Sequence, residues 1–202
     1  MSTSPSLAPR FFRLFLETLS ADLGAKTLAV VLEKASLRAD MIDPQAVSGY
    51  TGVAAAETYA RIHHALRIYY GRGARGILLR IGRLLWGRLL DNASLAEKAQ
   101  AQLARTLPVG LRLKPILEVL ARLIRQESAH VTVHTLDLDL LLADHVGAAT
   151  VGQKENAPIC FVTLGLIQEA LVWVSGREYD VEEVSCRATD GDACEFKITV
   201  EK

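Results

Sequence analysis

The sequence predicts an α+β protein in which helices pack on an antiparallel sheet of about four strands. Hydrophobic residues recur with a helical period before Ser128 and with a period of two after it. Of the 202 residues, 50% are hydrophobic and 23% are charged, which is typical of a globular chain and excludes a disordered one. We therefore expect a helical layer over residues 1–127 and a sheet layer over residues 128–202, together forming one globular domain.

Helices account for the first part of the chain. Ser94 followed by Glu97 three residues later is a capping box, and Pro115, which precedes an apolar stripe, suits a first helical position. The predicted helices run from Phe11 to Leu23, Lys26 to Ala35, Glu57 to Tyr70, Ile77 to Leu90, Ser94 to Leu107 and Pro115 to Glu127.

Strands are expected in the second part of the chain. Polar and apolar residues alternate from His130 to Thr135 and from Asp137 to Leu140, which predicts a strand pair with one solvent-exposed face. Two further strands are predicted, from Glu178 to Arg187 and from Ala193 to Val200. These strands should form an antiparallel sheet.

A buried helix is expected between the two strand pairs. Ile159 to Ser175 is apolar on most sides, and Gly176, a common helix terminator, follows it. Gln168 and Glu169 interrupt its apolar run, so it does not read as a membrane span. The Ser/Pro-rich N-terminus lacks a signal-peptide pattern, so we expect a cytoplasmic protein with reduced thiols.

The formal net charge of zero is a cancellation between the two halves of the chain. Residues 1–134 carry 18 basic and 10 acidic side chains, whereas residues 135–202 carry 5 and 13. Seven of the arginines lie between Arg61 and Arg88, where no acidic residue occurs. We expect them to pair with acidic groups of the same molecule or of a partner subunit, and no direct nucleic-acid binding is expected.

Three cysteines lie in the last quarter of the chain. A three-residue hairpin loop with Gly191 in the left-handed conformation would place Cys186 opposite Cys194, close enough to share one metal ion. Cys160 lies at the expected start of the buried helix, where the helix dipole favours a thiolate.

A fourth ligand is needed to complete a tetrahedral site, and Glu183 or a histidine could supply it. In an unbroken strand, Glu183 and Cys186 would point to opposite faces, so both can bind one ion only if the strand bulges or ends between them. The alternative is that the cysteines are small buried hydrophobic residues, or that the hairpin pair forms a disulfide.

The segment from Glu183 to Phe196, preceded by Cys160 and Gly165, resembles the C-terminal signature of the 4-vinyl reductase domain family. The resemblance is close over roughly the last 75 residues and covers the helical part only in outline. Members of this family include effector-sensing domains of phenol-responsive bacterial activators and proteins linked to bacteriochlorophyll synthesis. The fold that the resemblance implies is that of nitric-oxide-signalling and Golgi-transport proteins.

The resemblance also implies a cofactor and an assembly. In the phenol sensors, three cysteines and one glutamate hold zinc, with a spacing that Cys160, Glu183, Cys186 and Cys194 match. Such a site has no open position for water and is therefore structural. The family implies a homodimer, and the helix from Ile77 to Leu90 is the candidate face.

Ligand-binding residues are less clearly marked. His130 and His134 share one face of the expected first strand, and large aromatic residues of the helices could line a cavity. The histidine and aromatic pair of the phenol sensors is not found near these histidines. The candidates are His130, His134, Trp86, Tyr70 and Trp173.

The residues show no nucleophile with a base and no cofactor loop, which favours a non-enzymatic protein. The first hypothesis is a module that binds or senses a small hydrophobic or aromatic molecule. The alternatives are an accessory protein that handles a tetrapyrrole during 4-vinyl reduction of bacteriochlorophyll precursors, and a scaffold subunit without a ligand.

Overall fold

The computed structural model of the chain describes residues 5–43, 47, 49–125, 127 and 130–200, and it has an α+β architecture. Within these residues the α-helices are α1 (Pro9–Leu23), α2 (Ala25–Lys34), α3 (Gly52–Tyr70), α4 (Ala74–Asp91), α5 (Leu95–Thr106), α6 (Val109–Ile124) and α7 (Phe161–Ser175). The strands are β1 (Val131–Leu136), β2 (Asp139–Asp144), β3 (Asp180–Ser185) and β4 (Cys194–Thr199). They form one antiparallel sheet in the order β1-β2-β4-β3, which confirms the predicted fold class.

Two predicted helix ends are confirmed in atomic detail. The backbone N–H of Ser94 donates to Glu97 Oε2 at 2.7 Å, and the N–H of Glu97 donates to Ser94 Oγ at 3.2 Å, so the capping box begins α5. Gly176 ends α7 in the left-handed conformation, with φ of 75°.

The helix predicted to begin at Pro115 begins earlier, at Val109. Leu113 continues the apolar stripe one turn upstream of Ile116 and Leu117, and all three side chains are buried. This burial stabilises a first turn and a half that the position of Pro115 does not forbid. The helix ends at Ile124 rather than Glu127, and the predicted layer boundary at Ser128 lies outside the described residues.

The close crossing of α4 and α7 is the tightest contact between helices. A Cβ atom on Gly82 would lie 2.1 Å from the carbonyl oxygen of Val162, and one on Gly165 would lie 2.2 Å from that of Leu79. Only glycine therefore allows the two backbones to approach this closely. Helix α7 also contacts α6 and β3, so this crossing fixes it between the helices and the sheet.

A continuous cluster of buried apolar side chains joins the helices to the sheet. It includes Phe12 of α1, Trp86 of α4, Leu120 of α6, Ile167 of α7 and Phe196 of β4. The helical and sheet parts thus share one core.

Ion pairs also link the two oppositely charged parts of the chain. Arg67 of α3 lies 2.7 Å from Glu155, in the segment before α7, and Arg83 of α4 lies 3.1 Å from Glu178, after α7. Arg80 pairs with Asp22 within the helical part, at 2.7 Å. These arginines are thus paired within the molecule, one of the two arrangements that the sequence favoured.

Membrane-spanning helices are not found in the described part of the chain, because none of its helices is both long and apolar enough to cross a bilayer.

The crossing glycines generate the first prediction. Replacement of Gly82 or Gly165 by Ala should lower the free energy of unfolding by about 3 kcal/mol, because the helices must separate to admit the new methyl group. Gly87 lies in the same helix on an exposed position, with nothing within 4 Å of its Cβ site. Gly87→Ala should therefore stabilise the protein, by about 0.5–1 kcal/mol.

Urea denaturation of the three variants measures these differences. A shift of the midpoint in the same direction for Gly82→Ala and Gly87→Ala would show that the crossing does not depend on the missing side chain.

Candidate metal centre and adjoining cavity

Three separate elements supply the side chains of the candidate metal centre. Cys160 immediately precedes α7, Glu183 lies in β3, and Cys194 is the first residue of β4. Cys186 follows the last residue of β3. All four side chains are buried, and their ligand atoms lie within 4.8 Å of one another.

A β-bulge resolves the geometric objection to Glu183. Glu183 pairs with Phe196 and Ser185 pairs with Glu195, so Val184 is an extra residue on β3 and its side chain is exposed. The bulge breaks the alternation of faces, which lets Glu183 and Cys186 point to the same side.

The predicted three-residue hairpin loop is wrong, although the two cysteines do meet. Residues 186–193 connect β3 to β4 and include a short 3-10 turn, Arg187–Thr189. The left-handed residue is Asp190, with φ of 64°, and not Gly191. Gly191 is needed for a different reason, because a Cβ there would lie 2.5 Å from Ser185 Oγ and 2.8 Å from the carbonyl oxygen of Cys186.

The distances between sulfur atoms suit a tetrahedral ion. Cys160 Sγ lies 3.4 Å from Cys194 Sγ and 4.0 Å from Cys186 Sγ. A tetrahedron with metal–sulfur bonds of about 2.3 Å has edges of about 3.8 Å, between the two observed values. The residues could therefore hold a metal ion with little rearrangement.

The carboxyl group of Glu183 has one satisfied oxygen and one that lacks a partner. Its Oε2 atom accepts a hydrogen bond of 2.9 Å from the backbone N–H of Cys160, whereas Oε1 is buried without a partner among the described atoms. A buried oxygen without a hydrogen bond is costly, and a cation in the cluster would satisfy it.

The electrostatics of the cluster oppose its protein-only state. Burial, followed by the proximity of Cys186, raises the pKa of Glu183 to about 8. Hydrogen bonds from the Cys160 and Cys194 thiols lower the pKa of Cys186, whereas the hydrogen bond with Cys186 is the main cause of the raised pKa of Cys160. A divalent cation would favour the deprotonated form of every member of this group.

A small cavity adjoins the cluster, between the helices and the sheet. It leaves about 30 Å³ for the centres of water-sized molecules, and Cys160 forms part of its wall. Its polar lining includes Tyr59, Arg125, His130 and Asp144, and its apolar lining includes Leu7, Phe11, Ile124, Val131 and Val146. This combination of an apolar wall and a few polar groups is typical of a small-molecule site.

Asp144 is the buried acidic group of this cavity. Its Oδ1 atom accepts hydrogen bonds from the backbone N–H groups of Val146, at 3.0 Å, and Gly147, at 2.9 Å. Burial nevertheless raises its pKa above the ordinary value. Sequence reasoning missed Asp144 and Tyr59; the signal for Asp144 is an acidic residue at a strand end, three residues before a glycine.

Of the candidate ligand-binding residues, the structure places His130 alone in the lining of this cavity. His134 is exposed on β1, with Nε2 2.9 Å from Thr132 Oγ1. Trp86 is buried against Trp173, with ring centroids 5.9 Å apart, and Tyr70 stacks edge-on against Tyr69 at 4.9 Å.

The fold defines the class of this protein. Over 96% of its length the chain is similar to an H-NOX protein from S. oneidensis, solved in the Fe(II)NO ligation state, with a TM-score of 0.60, 15% identity and 99% of that chain covered. The chain thus has the H-NOX fold, which confirms the nitric-oxide-signalling-like architecture that the resemblance implied. Residues 146–200 match the model of the 4-vinyl reductase domain, so this part of the chain belongs to that domain family, and all four cluster residues lie within it.

A second solved structure shares part of the architecture. It is the phenol-responsive sensory domain of the transcription activator PoxR with phenol, with a TM-score of 0.44 and 15% identity. The match covers 69% of this chain and 73% of that one. No curated protein matches the sequence.

His63 is a further buried polar residue that the sequence did not single out as a core group. It lies in α3 one turn after Tyr59, fully buried, and neither ring nitrogen has a partner among the described atoms. Burial lowers its pKa to about 3, so the folded protein holds the neutral imidazole.

A pH dependence of stability follows from His63. Below about pH 6.5 the unfolded chain binds a proton that the folded protein does not bind until about pH 3, so stability is complete above pH 6.5 and falls as the pH decreases. At pH 5 the loss should be about 2 kcal/mol relative to neutral pH. His63→Phe should remove this loss, whereas His64→Phe, at the exposed neighbouring position, should not.

Unfolding free energies measured between pH 7 and pH 4 test this difference. Parallel curves for the parent and His63→Phe would show that His63 is protonated in the folded protein.

Proposed function

We propose that the protein is a small-molecule-binding sensory domain whose C-terminal part is held together by a structural zinc ion. The observation that carries the proposal is the cavity between the helices and the sheet, which has an apolar wall, the buried groups Asp144 and Tyr59, and direct contact with the cluster through Cys160. A ligand that changes the shape of this cavity would act on the elements that the metal joins.

Zinc is the ion that these ligands fit best. Thiolates select soft or borderline metals, and three thiolates with one carboxylate fill a tetrahedral shell. Among the described residues no histidine belongs to the cluster, which favours Glu183 as the fourth ligand. When bound, zinc would crosslink the start of α7 to both strands of the C-terminal hairpin, as a closed structural site.

The proposal keeps the cytoplasmic location expected from the sequence, because thiol ligands require a reducing compartment.

Zinc binding can be tested with a neighbouring pair of glutamates. Glu183→Gln preserves the size of the side chain but removes the anionic ligand, so zinc affinity should fall at least about tenfold in competition with a chromogenic chelator. Glu182→Gln changes the exposed adjacent residue and should leave the affinity unchanged. Removal of the ion from the parent protein should also lower its melting temperature.

The metal content of the purified protein provides a second measurement. Native mass spectrometry should show one zinc ion per chain. Protein without a thiophilic metal, with all three thiols freely titratable, would contradict the zinc site.

A homodimer is part of the proposal, as the resemblance implies. The face expected on the helix from Ile77 to Leu90 is not supported, because α4 directs Leu78, Ile81 and Leu85 into the core. Exposed apolar side chains occur instead on α5 and the start of α6, including Leu95, Leu103 and Leu111. The same native mass spectrum gives the number of subunits, and a monomer would contradict this part of the proposal.

The size of the cavity restricts the ligand. Its volume of about 30 Å³ accommodates roughly two water molecules, whereas a cavity that holds benzene measures about 150 Å³. A phenol-sized ligand therefore requires the cavity to expand. Ser6 and Leu7 form part of its wall, in a short segment that the hydrogen bond of 3.2 Å from Leu7 N–H to the carbonyl of Gly52 joins to the start of α3.

The tetrapyrrole alternative is not supported by this cavity, which is far smaller than a macrocycle. An iron centre of the kind named for the H-NOX relative also lacks a fit here. His130 is the histidine that lines the cavity in the described part of the chain, and its Nε2 atom already faces Glu127 at 3.4 Å.

Ligand binding is tested by enlarging the cavity. Saturating phenol should raise the melting temperature, and Leu7→Ala should increase this rise because it opens room for the ring, although it costs about 2–5 kcal/mol of stability. Leu95→Ala, at a side chain that is 87% exposed, is the matched control and should respond as the parent does.

A thermal-shift series with phenol, a fatty acid and a porphyrin separates the hypotheses. If none of them stabilises the parent or Leu7→Ala, the ligand-free scaffold is the better interpretation.

A further inference from the structure

Cys160 differs from the other two cysteines in its surroundings. Its side chain is part of the cavity wall, whereas Cys186 and Cys194 are fully buried and do not line the cavity. A small molecule that enters the cavity therefore meets the sulfur of Cys160 first. This access lies at one corner of the cluster proposed to hold zinc.

The cavity selects reactants by size. Its room for roughly two water molecules equals the space needed by hydrogen peroxide, which has two heavy atoms. Tyr59, Arg125, His130 and Asp144 supply polar atoms around this space. Bulky oxidants such as disulfide-containing peptides do not fit.

A second thiol stands next to Cys160. Cys194 Sγ is 3.4 Å away, whereas Cys186 Sγ is 4.0 Å away. A disulfide needs sulfur atoms about 2.05 Å apart, so the Cys160–Cys194 pair requires the smaller movement.

We propose that Cys160 is a modification site for hydrogen peroxide and that Cys194 resolves the product to a disulfide. The Cys160 sulfur attacks one peroxide oxygen, the O–O bond breaks, and the leaving hydroxide takes the thiol proton to form water and a sulfenic acid. The Cys194 sulfur then attacks the sulfenic sulfur, the S–O bond breaks, and the departing oxygen takes the Cys194 proton as a second water. Two thiols are oxidised by two electrons, and one peroxide is reduced to two waters.

The disulfide would change what holds the C-terminal hairpin. It keeps the start of α7 joined to β4, but it removes two of the four side chains that the proposed zinc site needs. Glu183 and Cys186 are then left without a shared ion, so the β3 side of the hairpin is released. This consequence depends on the proposed zinc site, whereas formation of the disulfide does not.

The test treats the purified full chain with hydrogen peroxide after its metal content has been measured. Intact mass should fall by two hydrogens, peptide mapping should locate a Cys160–Cys194 disulfide, and Cys186 should remain titratable. A chromogenic chelator should report the release of the ion in step with the mass change.

Access through the cavity is tested with a matched pair of alanines. Ala149 is buried in the cavity wall, and Ala149→Val should slow oxidation about tenfold by filling the space. Ala96→Val, on the exposed side of α5, should react at the parent rate. The metal content and unfolding curve of each variant show whether it is folded.

A disulfide that mainly involves Cys186, equal oxidation of all three thiols, or an unchanged rate in folded Ala149→Val would overturn the proposal. The outcome is separable from that of the zinc site. Metal-free protein that forms the Cys160–Cys194 disulfide would refute the zinc site alone, and zinc-loaded protein that resists peroxide would refute this inference alone.

Discussion

The contact between α4 and α7 at Gly82 and Gly165 is the constraint on which the rest of the structure depends. The two backbones approach so closely that a methyl group on either glycine would collide with a carbonyl oxygen of the other helix. Because a packed helix behaves as a rigid rod, this contact also sets where α7 begins. Cys160, at that beginning, is thereby placed beside the end of β3 and the start of β4.

The bulge at Val184 is the second constraint, and it acts on the sheet. Without the extra residue, Glu183 and Cys186 would face opposite sides of β3 and no common site could form. With it, Glu183 accepts a hydrogen bond from Cys160 and leaves its other oxygen buried without a partner. The unsatisfied oxygen and the crowded thiols are both costs that a bound cation would remove.

The charge of the chain has a structural meaning that the total conceals. The helical part is basic and the C-terminal part acidic, and Arg67–Glu155 and Arg83–Glu178 pair across them. Partly exposed pairs of this kind contribute little energy each, so the shared apolar core provides most of the adhesion. The pairs instead help to define how the segments on either side of α7 lie against the helices.

The sequence by itself determined the fold class, most helix spans and the four cluster residues, because periodicity, the capping box at Ser94 and the cysteine spacing are local properties of the chain. It did not determine the start of α6, the form of the 186–193 loop or the lining of the cavity. These depend on contacts between residues distant in the chain: the burial of Leu113, the approach of Gly191 to Ser185, and the meeting of Tyr59, Asp144 and Cys160. Local pattern specifies which elements form, whereas only tertiary packing decides which side chains share a cavity, since close packing leaves each position a single set of neighbours.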